Sequence, residues 1–200
     1  RIHVHTCHLA ECPINHAGNY NYPALSNNGA TATTIIDNTT VHTTSYYQSQ
    51  GFSWTIVIDN GGTMTIRNQS KVELAYDNTV SYYTLSAVSR MINNTGTLDI
   101  SDSTITNTDF NVTRDNGRTN GIYNAGGTIN FANTAVEVSR YESYGIYNES
   151  GTTNIESGTI KTSGYNARSL WVKDGSINMG EAEPTDSPDY GQDTAHVDTA

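Results

Sequence analysis

Apolar residues along this chain recur in short alternations separated by polar turns, and they keep fixed offsets from a series of glycines. Two and four places after a glycine stand Met64 and Ile66, Leu98 and Ile100, Ile129 and Phe131, and Ile177 and Met179. In one further unit Thr153 takes the first place and Ile155 the second. A second run follows about nine residues after the glycine, at Ile105, at Val136 with Val138, and at Ile160; it falls one place later at Val72 and Leu74. A third run precedes the glycine, at Ile58, Ile92, Ile122, Ile146, and Leu170 with Val172. Period-2 alternation marks a half-buried strand, and no stretch sustains the i, i+3, i+4, i+7 spacing of a helix. Each unit therefore predicts three short strands.

The glycines set the period. Gly-Ile-Tyr-Asn occurs at 121–124 and again at 145–148, each time followed by Gly-Thr, at Gly127-Thr128 and Gly151-Thr152. Gly175-Ser176, Gly96-Thr97, Gly62-Thr63 and, weakly, Gly29-Ala30 complete the series, with intervals of 33, 34, 31, 24 and 24 residues. A period of that size means a stacked solenoid. Three strands per unit predict an all-β, right-handed parallel β-helix of about six coils over 24–180, with a coil spacing of about 4.8 Å. The leucine-rich repeat is excluded, because it needs several leucines per unit and the whole chain has six. The longer intervals predict insertions at 39–53, 78–86 and 109–119, on the turns where solenoids tend to gather contact residues.

Composition refines the picture. The chain uses 22 Asn and 29 Thr, which suit tight turns and exposed strand positions respectively. In Gly-Ile-Tyr-Asn, Ile122 and Asn124 should face inward, Asn124 bonding Asn148 on the next coil, while Tyr123 and Tyr147 face outward together. The net charge is −10. Six acids and no Lys or Arg lie in 181–200, which with Pro184 and Pro188 reads as a disordered acidic tail. No basic footprint for nucleic acid and no apolar run for membrane insertion is present in the sequence. The opening at Arg1 and the acidic close at Ala200 read as those of a mature or excised segment.

Three sets of residues are candidates for chemistry. The segment 1–23 holds both cysteines and four of the six histidines. Two readings stand open there: a local Cys7–Cys12 disulfide, or a zinc site using His3, Cys7, Cys12 and His16. Asn107-Thr108-Asp109 matches one piece of the polysaccharide-hydrolase signature, but its companions, a paired aspartate, Gly-His-Gly and Arg-x-Lys, are missing from the sequence. Glycosidic cleavage needs opposed carboxylates. Asp99 and Asp102 read as strand-exit and turn residues, and no catalysis and no cofactor are expected. Thirteen tyrosines against three phenylalanines supply the third set. Tyr46, Tyr47, Tyr82 and Tyr83 lie in the insertions and are the expected ligand-contact residues. Thr-x-Thr pairs fall at different places in the repeat, so no regular threonine lattice is expected.

The runs Ile92-Asn93-Asn94-Thr95-Gly96-Thr97-Leu98-Asp99-Ile100 and Gly145 to Thr152 resemble the repeats of bacterial adhesin-like surface proteins. In those proteins similar pieces recur along a right-handed parallel β-helix of the pectin-lyase-like superfamily. The resemblance covers about 25–180. The opening His3-Val4-His5-Thr6-Cys7-His8-Leu9-Ala10-Glu11-Cys12 resembles His/Cys-rich modules of large surface proteins from gut Firmicutes, with Pro13-Ile14 where those carry Gly-Tyr. The resemblance implies a non-enzymatic, extracellular, cell-surface segment acting as an adhesive or stalk β-helix, with a glycan or host-surface protein as partner. The alternatives are a fragment of a polysaccharide lyase or hydrolase and a phage tail-fibre module.

Overall fold

The computed structural model describes residues 6–18, 22–45, 55–76, 88–108, 118–180 and 194–199. They form a parallel β-helix whose coils follow one another in chain order. Strands β1 (Thr6–Ala10) and β2 (Ile14–Gly18) open it. The next coils hold β3 (Leu25–Asn27), β4 (Thr33–Asp37) and β5 (Thr40–Ser45), then β6 (Ile56–Asn60), β7 (Thr63–Arg67) and β8 (Lys71–Tyr76), then β9 (Val88–Asn94), β10 (Thr97–Ser101) and β11 (Thr104–Thr108). Strand β12 (Arg118–Ala132) runs unbroken round a corner before β13 (Thr134–Ser139), as does β14 (Tyr144–Ile155) before β15 (Ser157–Ser163). The last coil holds β16 (Arg168–Val172), β17 (Ser176–Met179) and β18 (Thr194–Thr199).

Three faces result. The first stacks β3, β6, β9, the N-terminal parts of β12 and β14, and β16. The second stacks β1, β4, β7, β10, the C-terminal parts of β12 and β14, and β17. The third is the seven-stranded sheet β2, β5, β8, β11, β13, β15 and β18.

The constant offsets become vertical columns inside the coils. On the first face Leu25, Ile58, Ile92, Ile122, Ile146 and Leu170 align in register. On the second, Ile36, Ile66, Ile100, Phe131, Ile155 and Met179 form one column beside Met64, Leu98, Ile129, Thr153 and Ile177. On the third, Val41, Val72, Ile105, Val136 and Ile160 align. Most of these side chains are fully buried. Met179 is 41% exposed, because no strand is described beyond its coil on that face.

Asparagine and glycine build the corner between the first and second faces. Asn27, Asn60, Asn94, Asn124 and Asn148 are all buried there and bond coil to coil, Nδ2 to Oδ1, over 2.8, 2.8, 3.1 and 2.8 Å. The pair expected from sequence is thus part of a five-rung ladder. Behind it the backbones close up: Gly151 has φ 90°, and a Cβ on it would collide with the Gly127 carbonyl. The second corner turns on residues at positive φ, namely Asn38, Asn68, Asp102 and Asn133.

The structure departs from the sequence reading in four places. Segment 1–23 was expected to stand apart, yet β1 and β2 extend the second and third faces and add a coil to the six expected. Its short strands gave no glycine-anchored repeat to read. The first insertion starts after Ser45, because Thr40–Ser45 is a regular strand of the third face. In the tail expected to be disordered, 194–199 pairs in parallel with β15, while 181–193 lies outside the described residues. Finally, one threonine from each of several coils falls in line: Thr33, Thr63, Thr97, Thr128 and Thr152 align on the outside of the second face. Coil length varies at the corner between the third and first faces, so the Thr register is untouched.

Candidate functional site

The four tyrosines expected to contact a ligand, Tyr46, Tyr47, Tyr82 and Tyr83, lie outside the described residues, as does His3. Cys7 and Cys12 are free, exposed thiols. Cys7 continues the inner column through Thr34 on the second face, Cys12 sits at the turn, and His16 belongs to the third face opposite Thr43. Different faces separate them, and no group of three His, Cys, Asp or Glu able to hold a metal occurs among the described residues. Asn107, from the hydrolase-like Asn-Thr-Asp, is a structural amide: its Nδ2 donates to Ser139 O at 2.9 Å, and its Oδ1 accepts from Ser139 N at 2.8 Å. Asp109 lies outside the described residues.

A different surface gathers aromatic and charged side chains, on the outside of the first face. It arises from a bend in every coil. Two consecutive residues point inward at Val57-Ile58, Met91-Ile92, Gly121-Ile122 and Gly145-Ile146. Strict alternation would send one of each pair out. Glycine permits the crowding at two of these steps, since a Cβ on Gly121 would lie 2.6 Å from both Gly145 O and Val136 Cγ1. Because the alternation skips there, residues three apart reach the same outer side. Tyr144 thus meets Tyr147, edge to face, with centroids 5.1 Å apart.

Register does the rest. Asn93, Tyr123, Tyr147 and Trp171 occupy one outer column on successive coils. Tyr123 and Tyr147 stack at 5.3 Å and 16°, as expected for outward tyrosines one coil apart. Tyr144 lies against Trp171 at 5.9 Å. Arginines cover both ends: Arg90 lies 3.5 Å from the Tyr123 ring centroid and Arg168 lies 4.7 Å from that of Trp171. Each such ring or cation contact stabilises by about 0.5–1.5 kcal/mol. Tyr123 is left only 8% exposed, while Trp171 remains 37% exposed. The strip therefore opens toward Trp171.

Its polar groups form one chain across the coils. Asp59 accepts from Asn93, and Asn93 accepts from Arg90. At the far side the Tyr123 hydroxyl donates to Glu149, which pairs with Lys173 at 3.0 Å. Glu149 reaches Tyr123 because the register shifts there: Asn124 pairs with Asn148 but Ala125 pairs with Ser150, leaving Glu149 bulged from the ladder. Burial, then donation to Glu149, pushes the Tyr123 hydroxyl up to about 12. The Tyr123 hydroxyl and Lys173 hold the Glu149 carboxyl below its ordinary range, and Glu149 raises Lys173. Every one of these shifts moves a group away from neutral pH. General acid–base work needs the opposite, so this cluster suits contact, not proton transfer.

A second aromatic pair, Tyr141 and Tyr165, stacks at 5.1 Å on the neighbouring corner. Outer carboxylates are engaged elsewhere: Asp99 accepts from Asn130 at 2.7 Å, Asp102 from Asn133 at 2.6 Å, and Asp37 from Asn68 and Arg67. Sequence reasoning placed Tyr123 and Tyr147 outside but missed Trp171, Tyr144 and Arg90. The signal for Trp171 was present: Tyr123, Tyr147 and Trp171 each follow the inward Ile or Leu of their coil, 24 residues apart. Set against known families, curated proteins and solved structures, the chain matches none.

Proposed function

We propose that this chain is a non-enzymatic segment of a bacterial surface protein, displayed outside the cell as an adhesive or stalk β-helix. The observation that carries the reading is the outer strip of Tyr123, Tyr144, Tyr147 and Trp171, clamped by Arg90 and Arg168 on a stiff stack of coils. Such a strip offers flat, partly apolar area with polar tips at little entropic cost, because its rings are already held by one another. Its ionisable groups are locked in one charge state across neutral pH. The partner is a glycan or a protein of a host or neighbouring cell surface.

Adhesion of beads coated with the purified chain to epithelial cells and to immobilised mucin tests this. Trp171→Ala and Tyr147→Ala should lower retention several-fold with the circular-dichroism spectrum unchanged. Turnover of any polysaccharide by the wild-type chain, lost in a carboxylate variant, would replace the adhesive reading with an enzymatic one.

A further inference from the structure

The outside of the second face carries a groove of about 440 Å³, separate from the aromatic strip. One wall is a column of Asp99, Asn130 and Asn154, aligned on consecutive coils. Ser101 and Ala132, aligned beside it, form the floor with the main chain of Ile100, Phe131 and Ile155; Thr65 and Glu156 stand toward its ends. The wall is rigid: Asn130 Nδ2 donates to Asp99 Oδ1 at 2.7 Å, Asn154 to Asn130 at 2.8 Å, and Asn178 to Asn154 at 2.8 Å. A primary amide has two N–H groups and two oxygen lone pairs. Each ladder bond uses one donor and one acceptor site, so every amide keeps a further N–H and a further lone pair for a ligand. The result is a row of fixed donor and acceptor pairs repeating at the coil spacing of about 4.8 Å.

We propose that this groove binds an uncharged, extended polysaccharide laid along the helix axis, its repeating hydroxyls meeting successive amides. An amide row at constant pitch matches a polymer whose hydrogen-bonding groups also recur along its length. The lining fixes the charge of the ligand: it contains Asp99 and Glu156 but no Lys or Arg, so an anionic glycan would meet repulsion. The pre-set amides lose little freedom on binding. The proposal gives the adhesive reading a ligand class and a second place on the molecule, and it rests on that reading.

Calorimetric titration of the full chain with cellohexaose, xylohexaose and mannohexaose, and with hexagalacturonate as the charged comparison, tests it. At least one neutral hexasaccharide should bind, and hexagalacturonate should bind at least tenfold more weakly. Ala132→Tyr, which fills the floor from an outward strand position, should weaken binding at least tenfold. Asn154→Ala, which removes one rung, should weaken it about fivefold. Thr106→Tyr, the same enlargement on the outside of the third face, should leave it unchanged. Absence of binding to all three neutral sugars, equal binding by Ala132→Tyr, or preference for hexagalacturonate each overturns the groove assignment. Cell adhesion that survives Ala132→Tyr but falls in Trp171→Ala would retain the adhesive reading and remove only the groove.

Discussion

Asn124 donates its Nδ2 to Asn148 Oδ1 at 2.8 Å across one coil, with both side chains wholly buried. The same amide donates to Gly127 O and accepts from Gly127 N, each at 3.1 Å, so it also shapes its own turn. Truncation strands the Gly127 N–H and one side of Asn148. Asn124→Ala should therefore cost about 2–4 kcal/mol. Asn154→Ala, on the solvent side of the same coils, should cost under about 0.5 kcal/mol. Urea unfolding of both variants checks the contrast, and similar midpoints for the two would show that the inner ladder is not what holds the corner.

Ile146 lies at 0% exposure in the middle of the first-face column. Ile146→Ala should destabilise by about 2–4 kcal/mol through lost packing and the cavity left behind. Ile146→Asp places an unpaired charge in that column and should unfold the neighbouring coils outright. Hydrogen exchange would locate the damage. Fast exchange in Ile56–Asn60 and slow exchange in Tyr144–Ile155 would place the column wrongly.

Gly151 and Gly126 both have positive φ, at 90° and 108°, but only Gly151 presses its Cα against the carbonyl of the coil before. A Cβ on Gly126 would meet nothing closer than Ser150 Oγ at 3.6 Å. Gly126→Ala should thus lose about 1 kcal/mol of backbone strain alone. Gly151→Ala should lose at least about 1 kcal/mol more, since the coils must also separate locally. Melting temperatures of the two variants in one buffer decide this.

Titration of the aromatic strip should appear in alkali. The folded chain holds the Tyr123 proton more tightly than the unfolded chain, with a value near 12 against 10.0. The stabilisation is complete below pH 10 and disappears as pH rises through 12. Lys173, also raised, loses its share in the same direction. The lowered Glu149 and Asp37 behave oppositely: their contribution is present above about pH 4 and is lost as pH falls through their folded values. Urea midpoints from pH 9 to 12 should fall more steeply for the wild type than for Tyr123→Phe. Parallel slopes would separate Tyr123 from alkaline stability.

Cys7 and Cys12 are exposed and unbonded, so neither reductant nor chelator should shift the melting temperature. A drop of several degrees with dithiothreitol alone would reveal a disulfide, and one with EDTA alone a metal.

The constant glycine offsets made the inner columns legible, because inward Ile and Leu recur at the same distance from Gly62, Gly96, Gly127 and Gly151. Strand order followed for the same reason. The bend was illegible: Val57-Ile58 and Met91-Ile92 break alternation, and a two-residue apolar run in sequence does not say which residue should leave the core. The aromatic strip depends on that bend. So Tyr144, three residues before Tyr147, looked like a turn residue, although it belongs to the outer face with Trp171. The first strands escaped because Thr6–Ala10 and Ile14–Gly18 join by pairing alone, with no glycine marker of their own.

Asp99 does more than end a row of amides. A carboxylate only accepts, so Asn130 must turn its N–H₂ toward Asp99, and Asn154 and Asn178 must then face the same way. One ionised group thus sets the orientation of three neutral ones reaching three coils away. The inner ladder from Asn27 to Asn148 donates toward the other end of the helix. Two columns of dipoles therefore run in opposite senses on either side of the same sheet corner, and their far fields tend to cancel. The molecule has a chemical up and down on its surface, readable by a polymer that itself has two unlike ends, without a net field to impose direction from a distance.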